Sequence, residues 1–198
     1  MRKVFDRYFT EAEERQLFKT VARFADINAR RDYAWMRLLR QTGIRVETLA
    51  GLNVLDAQTG LADKYLHLRP EITKRDQGGR VFLTTKARQA LKELLAIHRE
   101  MGYPLADESP LIFSRKHQRL SVRSYQSRTR HWCQAAGLAD GSPHWFRHTL
   151  AKRIMKNSTA QDPRGVVQVA LTHASINSTS VYTMPDKEDV ERAMEEAS

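Results

Sequence analysis

Residues 142–149 read Ser-Pro-His-Trp-Phe-Arg-His-Thr, and this segment has the features of a helix start that can bind an anion. Ser142 is a favoured N-cap residue, and Pro143 suits the first position of a helix. His144 and Arg147 would then lie three residues apart in the first turn, on one face and close to the unpaired backbone N–H groups. The segment predicts a phosphate-binding site, while on its own a solvated helix start explains it equally well.

A zinc site is the alternative use of the two histidines, because His144 and His148 are four residues apart. The glutamate that follows the first histidine in metalloprotease helices is absent, and Trp145 stands in its place. Arg147 lies between the two histidines, where its charge would oppose a metal ion. We therefore expect no metal and no other cofactor.

Three further segments hold residues suited to phosphate chemistry. Arg45 follows Gly43, which is expected to end a helix, so the arginine side chain can reach a neighbouring cleft. Lys74 lies at the end of a predicted strand, beside a hairpin turn. His173 precedes Tyr182 by nine residues in a predicted loop between two helices. Taken alone, each of these residues has an ordinary structural explanation.

The charge balance favours a polyanionic partner. The 198 residues include 33 Lys and Arg against 23 Asp and Glu, which gives a net charge of +10, and the pI is about 10.0. Basic side chains near phosphates release condensed counterions, and this release favours binding to nucleic acid. Anionic membrane surfaces are also compatible with the charge.

Other features indicate a one-domain protein of the cytoplasm. A chain of this length forms one sizeable core. No apolar run has the length of a membrane span, and the charged residues 1–6 are unlike a signal peptide. The one cysteine, Cys133, excludes an intramolecular disulfide and fits a reducing compartment.

The pattern of apolar residues predicts a mostly α fold with a small antiparallel β-sheet (α+β). A capping box at Thr10 opens a first helix, and a second helix is expected to begin at about Asp32. Residues 61–73 alternate in part between polar and apolar, and Arg80-Val81-Phe82-Leu83 follow after Gly78-Gly79; this pattern predicts a hairpin whose turn is formed by residues 75–79. The remaining helices are expected at residues 44–52, 85–99, 121–136, 143–156, 163–171 and 186–198.

The order and spacing of these segments resemble the catalytic domain of the tyrosine recombinases, also called phage-type integrases. The resemblance runs from Tyr8, where YFTEAEE is similar to the usual opening of that domain, to the last helix. It includes TGIRVETL, a lysine beside a hairpin, HxxRHT, and a histidine with a tyrosine nine residues later. The resemblance implies catalytic roles for six residues: Arg45, Lys74, His144, Arg147, His173 and Tyr182.

Three positions depart from the family pattern. The acidic residue that is usual three positions after the first arginine is replaced by Thr48, with Glu47 one position earlier. The glycine that is usual before the late histidine is Thr172. The hairpin between Lys74 and Arg80 is slightly longer than usual, so the assignment of Lys74 rests on its position alone.

The resemblance implies that the protein breaks and rejoins double-stranded DNA, as a site-specific recombinase of the integrase or invertase type. Tyr182 would attack a phosphodiester and form a 3′-phosphotyrosine intermediate, while Arg45 and Arg147 would bind the oxygens that gain charge. Lys74 would protonate the leaving 5′-oxygen, and the two histidines would bind the phosphate or transfer protons. These steps need no metal or nucleotide.

We expect one catalytic domain over residues 1–198, without the N-terminal core-binding domain that most members carry, and a tail helix over residues 186–198. A short stand-alone member, similar to the fimbrial-switch invertases, and a catalytic fragment of a longer protein both fit this length. The tail helix would join protomers into a dimer or tetramer on DNA, or it would fold back on its own domain.

Three other functions would use the same features. A type IB topoisomerase performs the same chemistry on one duplex. A non-catalytic DNA-binding regulator would keep the charge, but the complete set of six residues argues against it. A binder of RNA or of membrane surfaces would use residues 115–131, with Tyr125 and Trp132 nearby. We interpret this arginine-rich segment instead as a helix that lies against DNA, in the major groove.

Overall fold

The computed structural model of the chain describes residues 8–171 and 194–197. Two of the predicted site residues, His173 and Tyr182, lie outside the described residues, as does most of the predicted tail helix over 186–198. Within that tail, residues 194–196 are helical and the side chain of Met194 is exposed.

The described part of the chain is mostly helical and contains one small sheet, as the sequence pattern predicts. Two strands, β1 and β2, pair antiparallel with Tyr65 opposite Phe82 and Leu68 opposite Gly79. The strands are β1 (Tyr65–Leu68) and β2 (Gly79–Phe82). The helices are α1 (Glu11–Val21), α2 (Ile27–Thr42), α3 (Val46–Gly51), α4 (Val54–Asp63), α5 (Thr85–Glu100), α6 (Val122–Ala135), α7 (Pro143–Asn157) and α8 (Pro163–Ala170).

The first two helices are fixed by side-chain caps. At the start of α1 the hydroxyl of Thr10 accepts the backbone N–H of Glu13 at 3.2 Å, and the Glu13 carboxylate accepts the N–H of Thr10 at 2.9 Å. This capping box was predicted and is confirmed. The start of α2 was wrongly predicted at Asp32, because the carboxylate of Asp26 caps the helix by accepting the N–H of Asn28 at 3.1 Å. The helix therefore begins five residues before Asp32.

Asp32 is a fully buried carboxylate that joins α2 to α6. One oxygen accepts hydrogen bonds from Arg31 Nη2 and Trp35 Nε1, both at 3.0 Å. The other accepts Trp132 Nε1 at 2.9 Å and the Nε of Arg128. A buried charge is tolerated only when it is paired and hydrogen-bonded, and these four donors meet that condition.

A second buried carboxylate, Glu14, joins α1 to two other helices. It pairs with Arg40 of α2 and with Arg153 of α7, whose Nη2 lies 2.6 Å from Glu14 Oε2. The three helices are therefore held together by charge as well as by apolar packing.

The hairpin differs from its prediction in length and in its turn. Helix α4 continues to Asp63 and ends at Lys64, so the strand predicted over residues 61–73 is confined to β1. The connection between the strands spans residues 69–78 and contains two 3-10 turns. We call this connection the 69–78 loop. It replaces the short turn that was predicted at residues 75–79.

Helix α2 lies at the centre of the core. Its side chains Trp35, Met36 and Leu38 are fully buried, and the helix packs against α5 and α7. A separate small cluster forms between α7 and α8 around Ala151, Val167 and Leu171. The position of α2 brings its C-terminal end next to α7, and this contact builds the site described below.

The cysteine of the chain is enclosed by the core. Cys133 on α6 has no exposed surface and forms no disulfide. Burial raises the pKa of its thiol to about 11. The thiol therefore stays protonated at neutral pH, and a protonated thiol is a poor nucleophile.

None of the helices in the described residues is long and apolar enough to cross a membrane.

The Asp32 cluster generates a stability prediction. Asp32→Ala leaves Arg31 and Arg128 without their buried anion, so the free energy of unfolding should fall by about 3–5 kcal/mol. Asp63→Ala is the control, because the Asp63 side chain is 53% exposed and its loss should change stability by less than about 0.5 kcal/mol. Urea unfolding of both variants measures the difference. Equal effects would show that the buried cluster contributes nothing specific.

Candidate active site

Arg147 is the fifth residue of α7 and is 2% exposed. Its Nη1 donates to the backbone oxygen of Gly43, and its Nη2 donates to the backbone oxygen of Leu171 at 2.7 Å. These two carbonyls follow the last residues of α2 and α8, where the helix dipoles place negative partial charge. The guanidinium is therefore fixed by the ends of two helices that are far apart in the sequence.

Glycine at position 43 is required by this packing. Gly43 has a φ of 61°, the left-handed conformation that ends α2 as the sequence predicts. A Cβ atom there would lie 2.4 Å from Leu171 Cδ2 and 3.0 Å from Leu150 Cδ2. The absence of a side chain therefore lets α7 and the end of α8 approach the end of α2.

Three of the six predicted site residues meet in one cleft. Arg45 is the N-cap residue of α3, Lys74 belongs to the 69–78 loop, and Arg147 comes from α7. Arg45 is half-buried and Lys74 is exposed. The cleft is lined by Ile44, Arg45, Thr48, Leu68, Thr73, Lys74, Gln77, Gly78 and Arg147. Three of these residues are cationic and none is acidic, so the cleft is suited to an anion.

The fourth described residue, His144, lies beside the cleft rather than in its lining. Its ring contacts the ring of His148 edge-on, with 4.7 Å between centroids. Desolvation lowers the pKa of His144 below its usual value, and the charges of Arg147 and Arg45 lower it further. The imidazole is therefore neutral at pH 7 and can accept a proton or a hydrogen bond.

The predicted position of Ser142 is confirmed, although its side chain does not cap the helix, and Lys74 is placed differently from its prediction. Ser142 occupies the N-cap position of α7, but its side chain makes no capping hydrogen bond. Lys74 opens the second 3-10 turn and does not lie at the end of a strand. Within the described ranges 8–171 and 194–197, no three His, Cys, Asp or Glu side chains are grouped as a metal site.

Thr73, Gln77 and Gly78 also line the cleft and were not predicted as site residues. Gly78 has a φ of 61°, and the Gly78-Gly79 pair is a sequence signal for a turn of this kind. Thr73 and Gln77 carry no local signal, because their place depends on how the loop folds.

Helix α6 presents a polar face to solvent. Exposed residues recur at helical spacing on this face: Arg123, Gln126, Ser127, Arg130 and His131. Tyr125 and Trp132, which an RNA binder would need for stacking, are buried instead, with 1% and 3% exposure. The aromatic surface expected for that alternative is therefore absent from residues 122–135.

The chain is similar to known proteins over most of its length. Residues 7–189 match the model of the phage integrase family. The chain is 34% identical over 170 residues to the tyrosine recombinase XerC of Neisseria gonorrhoeae, which covers 84% of this chain and 51% of the relative. It is 35% identical over 182 residues to tyrosine recombinase XerC 1 of Ralstonia nicotianae, which covers 87% and 54%. The chain thus spans about half the length of these curated relatives.

Solved structures share the fold. The crystal structure of XerA recombinase matches all of this chain and 65% of its own, with a TM-score of 0.75 and 21% identity. The XerH site-specific recombinase bound to difH substrate matches 97% of this chain and 55% of its own, with a TM-score of 0.71 and 20% identity. The chain therefore has the fold of these recombinases, and it belongs to the phage integrase family of tyrosine recombinases.

The position of the Arg147 guanidinium, bound to the backbone oxygens of Gly43 and Leu171, generates a second prediction. Arg147→Lys keeps the charge but offers one nitrogen in place of a planar fork. On the DNA-cleaving function proposed below, cleavage should fall by roughly 10² or more, the scale for one lost transition-state donor, while DNA affinity changes little. Stability should fall by about 1–3 kcal/mol, because a buried carbonyl loses its partner.

Cleavage rates, DNA affinity and urea unfolding measure these three effects. Arg37→Lys is the matched control, since Arg37 binds Glu93 and Gln89 on the surface between α2 and α5. Equal losses of binding and cleavage in Arg147→Lys would show that Arg147 only anchors the DNA backbone.

Proposed function

We propose that the protein is a site-specific DNA recombinase that cleaves and rejoins DNA through a 3′-phosphotyrosine intermediate. The observation that carries this proposal is the meeting of Arg45, Lys74 and Arg147 in one cleft. The residues come from three separate parts of the sequence, and the family pattern assigns all three to the same reaction. Membership of the phage integrase family supports the same conclusion.

The two arginines would bind the scissile phosphate. Arg147 is held rigidly by two backbone carbonyls, so little reorganisation is needed when charge develops on the phosphate oxygens. Arg45 approaches the same cleft from the start of α3. Together they would stabilise the charge that the non-bridging oxygens gain during attack.

Two further residues would move protons. Lys74 is exposed on the 69–78 loop and would protonate the leaving 5′-oxygen. His144 is neutral at pH 7 because its pKa is lowered, so it would accept a hydrogen bond or a proton near the phosphate. His173 would assist in the same way, by its match to the family pattern.

Double-stranded DNA is the proposed partner, in the cytoplasm. The net charge of +10 supports a polyanion. The exposed face of α6 carries arginine, glutamine and serine, which are side chains that bind phosphates and base edges in the major groove. The Tn1549 transposon integrase, a solved structure with this fold, is in complex with transposon right end DNA, which supports DNA as the proposed partner. We further propose that residues 1–198 act as one catalytic domain.

Tyr182 is the proposed nucleophile, and its removal tests the whole function. The parent protein should form a covalent adduct on a nicked duplex that carries its site, because the nick lets the cleaved end diffuse away. Tyr182→Phe removes the attacking oxygen and keeps the ring, so DNA binding should persist and adducts should vanish. Denaturing gels detect the adduct, and adducts that persist in Tyr182→Phe would contradict the assignment.

We also propose that residues 186–198 join protomers on DNA. Apolar Val190, Ala193 and Met194 recur at spacings of three and four, and Met194 is 69% exposed. A helix of the predicted length would be marginal alone and would need a docking partner. In the family that the chain resembles, a tail of this kind packs onto a neighbouring protomer.

Deletion of residues 186–198 separates assembly between protomers from folding back within one. If the tail joins protomers, the truncated protein should keep its melting temperature and single-site cleavage, and it should lose cooperative assembly on paired sites. Calorimetry and gel shifts on one-site and two-site DNA measure this. A lower melting temperature with unchanged assembly per folded molecule would support the intramolecular arrangement.

A further inference from the structure

Two cations of the cleft, Arg45 and Lys74, belong to a short helix and a loop whose positions depend on contacts with other elements. Arg45 precedes α3, a helix of six residues whose N-cap side chain makes no capping hydrogen bond. Lys74 lies in the 69–78 loop. A helix of this length is not stable alone, so contacts from outside it must set the distance between the two cations.

Arg69, the first residue of the loop, supplies such contacts. Its Nη2 donates to the backbone oxygen of Gly51, the last residue of α3, at 3.0 Å. Its Nε and Nη2 donate to the two carboxylate oxygens of Asp56 in the first turn of α4, at 3.1 and 3.2 Å. The Asp56 side chain is 8% exposed, which makes this pair less screened than a surface pair.

The rest of the loop is bonded to itself. Thr73 N–H and Thr73 Oγ1 donate to the backbone oxygen of Pro70 at 2.9 and 2.8 Å. The N–H of Gly78 donates to Thr73 Oγ1 at 3.0 Å, and the N–H of Asp76 donates to Thr73 O at 3.3 Å. Lys74 therefore lies in a loop that is held by its own hydrogen bonds, and Arg69 attaches this loop to α3 and α4.

A steric contact joins the same two elements. A Cβ atom on Gly51 would lie 2.5 Å from Ile72 Cγ2 and 2.7 Å from Ile72 Cβ. The loop thus packs directly against the end of α3 and leaves no room for a side chain. Polar and steric contacts together fix the loop against the helix that follows Arg45.

We propose that Arg69 is a positioning residue, which sets the place of Lys74 relative to Arg45 through its bonds to Gly51 and Asp56. The proposal rests on the proposed function, in which Lys74 protonates the leaving 5′-oxygen. Arg69 acts through the loop, so its loss impairs protonation of the leaving group and leaves phosphate binding by the arginines intact.

Cleavage of two substrates tests this role. One substrate has an ordinary phosphodiester at the cleaved position, and the other has sulfur in place of the bridging 5′-oxygen. Sulfur leaves as a thiolate without needing a proton. Arg69→Gln should cleave the ordinary substrate at least about tenfold more slowly than the parent, but the sulfur substrate at a rate within about threefold of the parent. Lys74→Met is the reference for a lost general acid and should show the same two effects. Gly51→Ala, which displaces the loop sterically, should give the same pattern.

Arg119→Gln is the matched control. Arg119 also binds the end of α3, by donating to the backbone oxygens of Ala50 and Leu52 at 2.8 and 2.9 Å, but these contacts lie outside the 69–78 loop. Arg119→Gln should leave the ratio of the cleavage rates of the sulfur substrate and the ordinary substrate at the parental value. Arg69→Lys, which keeps one charge-assisted bond, should recover part of the lost activity.

Amide hydrogen exchange gives a readout that does not depend on cleavage. In Arg69→Gln the N–H groups of Thr73, Asp76 and Gly78 should exchange faster, while those of α5 keep the parental rate. If the amide exchange rates of the loop are unchanged in Arg69→Gln, the proposal is overturned. It is also overturned if the loop exchanges faster while the ratio of the two cleavage rates equals that of the parent, because Arg69 is then purely structural. If the parent cleaves neither substrate, the proposed function fails, and the exchange rates still decide whether Arg69 anchors the loop.

Discussion

The buried guanidinium of Arg147 is the interaction around which the site is organised. It donates to carbonyls at the ends of α2 and α8, so one side chain binds the C-terminal ends of two helices, where carbonyls lack partners within the helix. The same bonds fix the cation at the floor of the cleft. The elements that carry Arg45 and Leu171 are therefore tied to α7 by the residue that would bind the substrate, and binding requires little rearrangement.

Local signals in the sequence predicted most of the helices. The capping box at Thr10 and the left-handed Gly43 act through neighbouring residues, and both are confirmed. Asp32 shows where local reasoning fails. Its carboxylate lies inside α2 and binds Trp132 and Arg128, about a hundred residues away. No local pattern contains that pairing, whereas the start of α2 follows from the local cap of Asp26, which was not recognised in the sequence.

The candidate site was predicted in part for a similar reason. The order of motifs identified Arg45, Lys74 and Arg147, and the structure brings them to one cleft. The shape of the 69–78 loop could not be predicted, because it depends on contacts of Arg69 with Gly51 and Asp56 in other elements. Thr73 and Gln77 enter the cleft only through that shape. His173 and Tyr182 lie outside the described residues and remain predictions.

The burial of Cys133 has a practical consequence for the study of this protein. The chain holds one cysteine, and its thiol is enclosed and has a raised pKa. Maleimides and nitroxide reagents react with exposed thiolates. The parent protein should therefore not be labelled at Cys133. A cysteine introduced on the exposed face of α6 or in the 69–78 loop would carry a single probe. Distances and mobility could then be measured on the chain without first removing a native thiol.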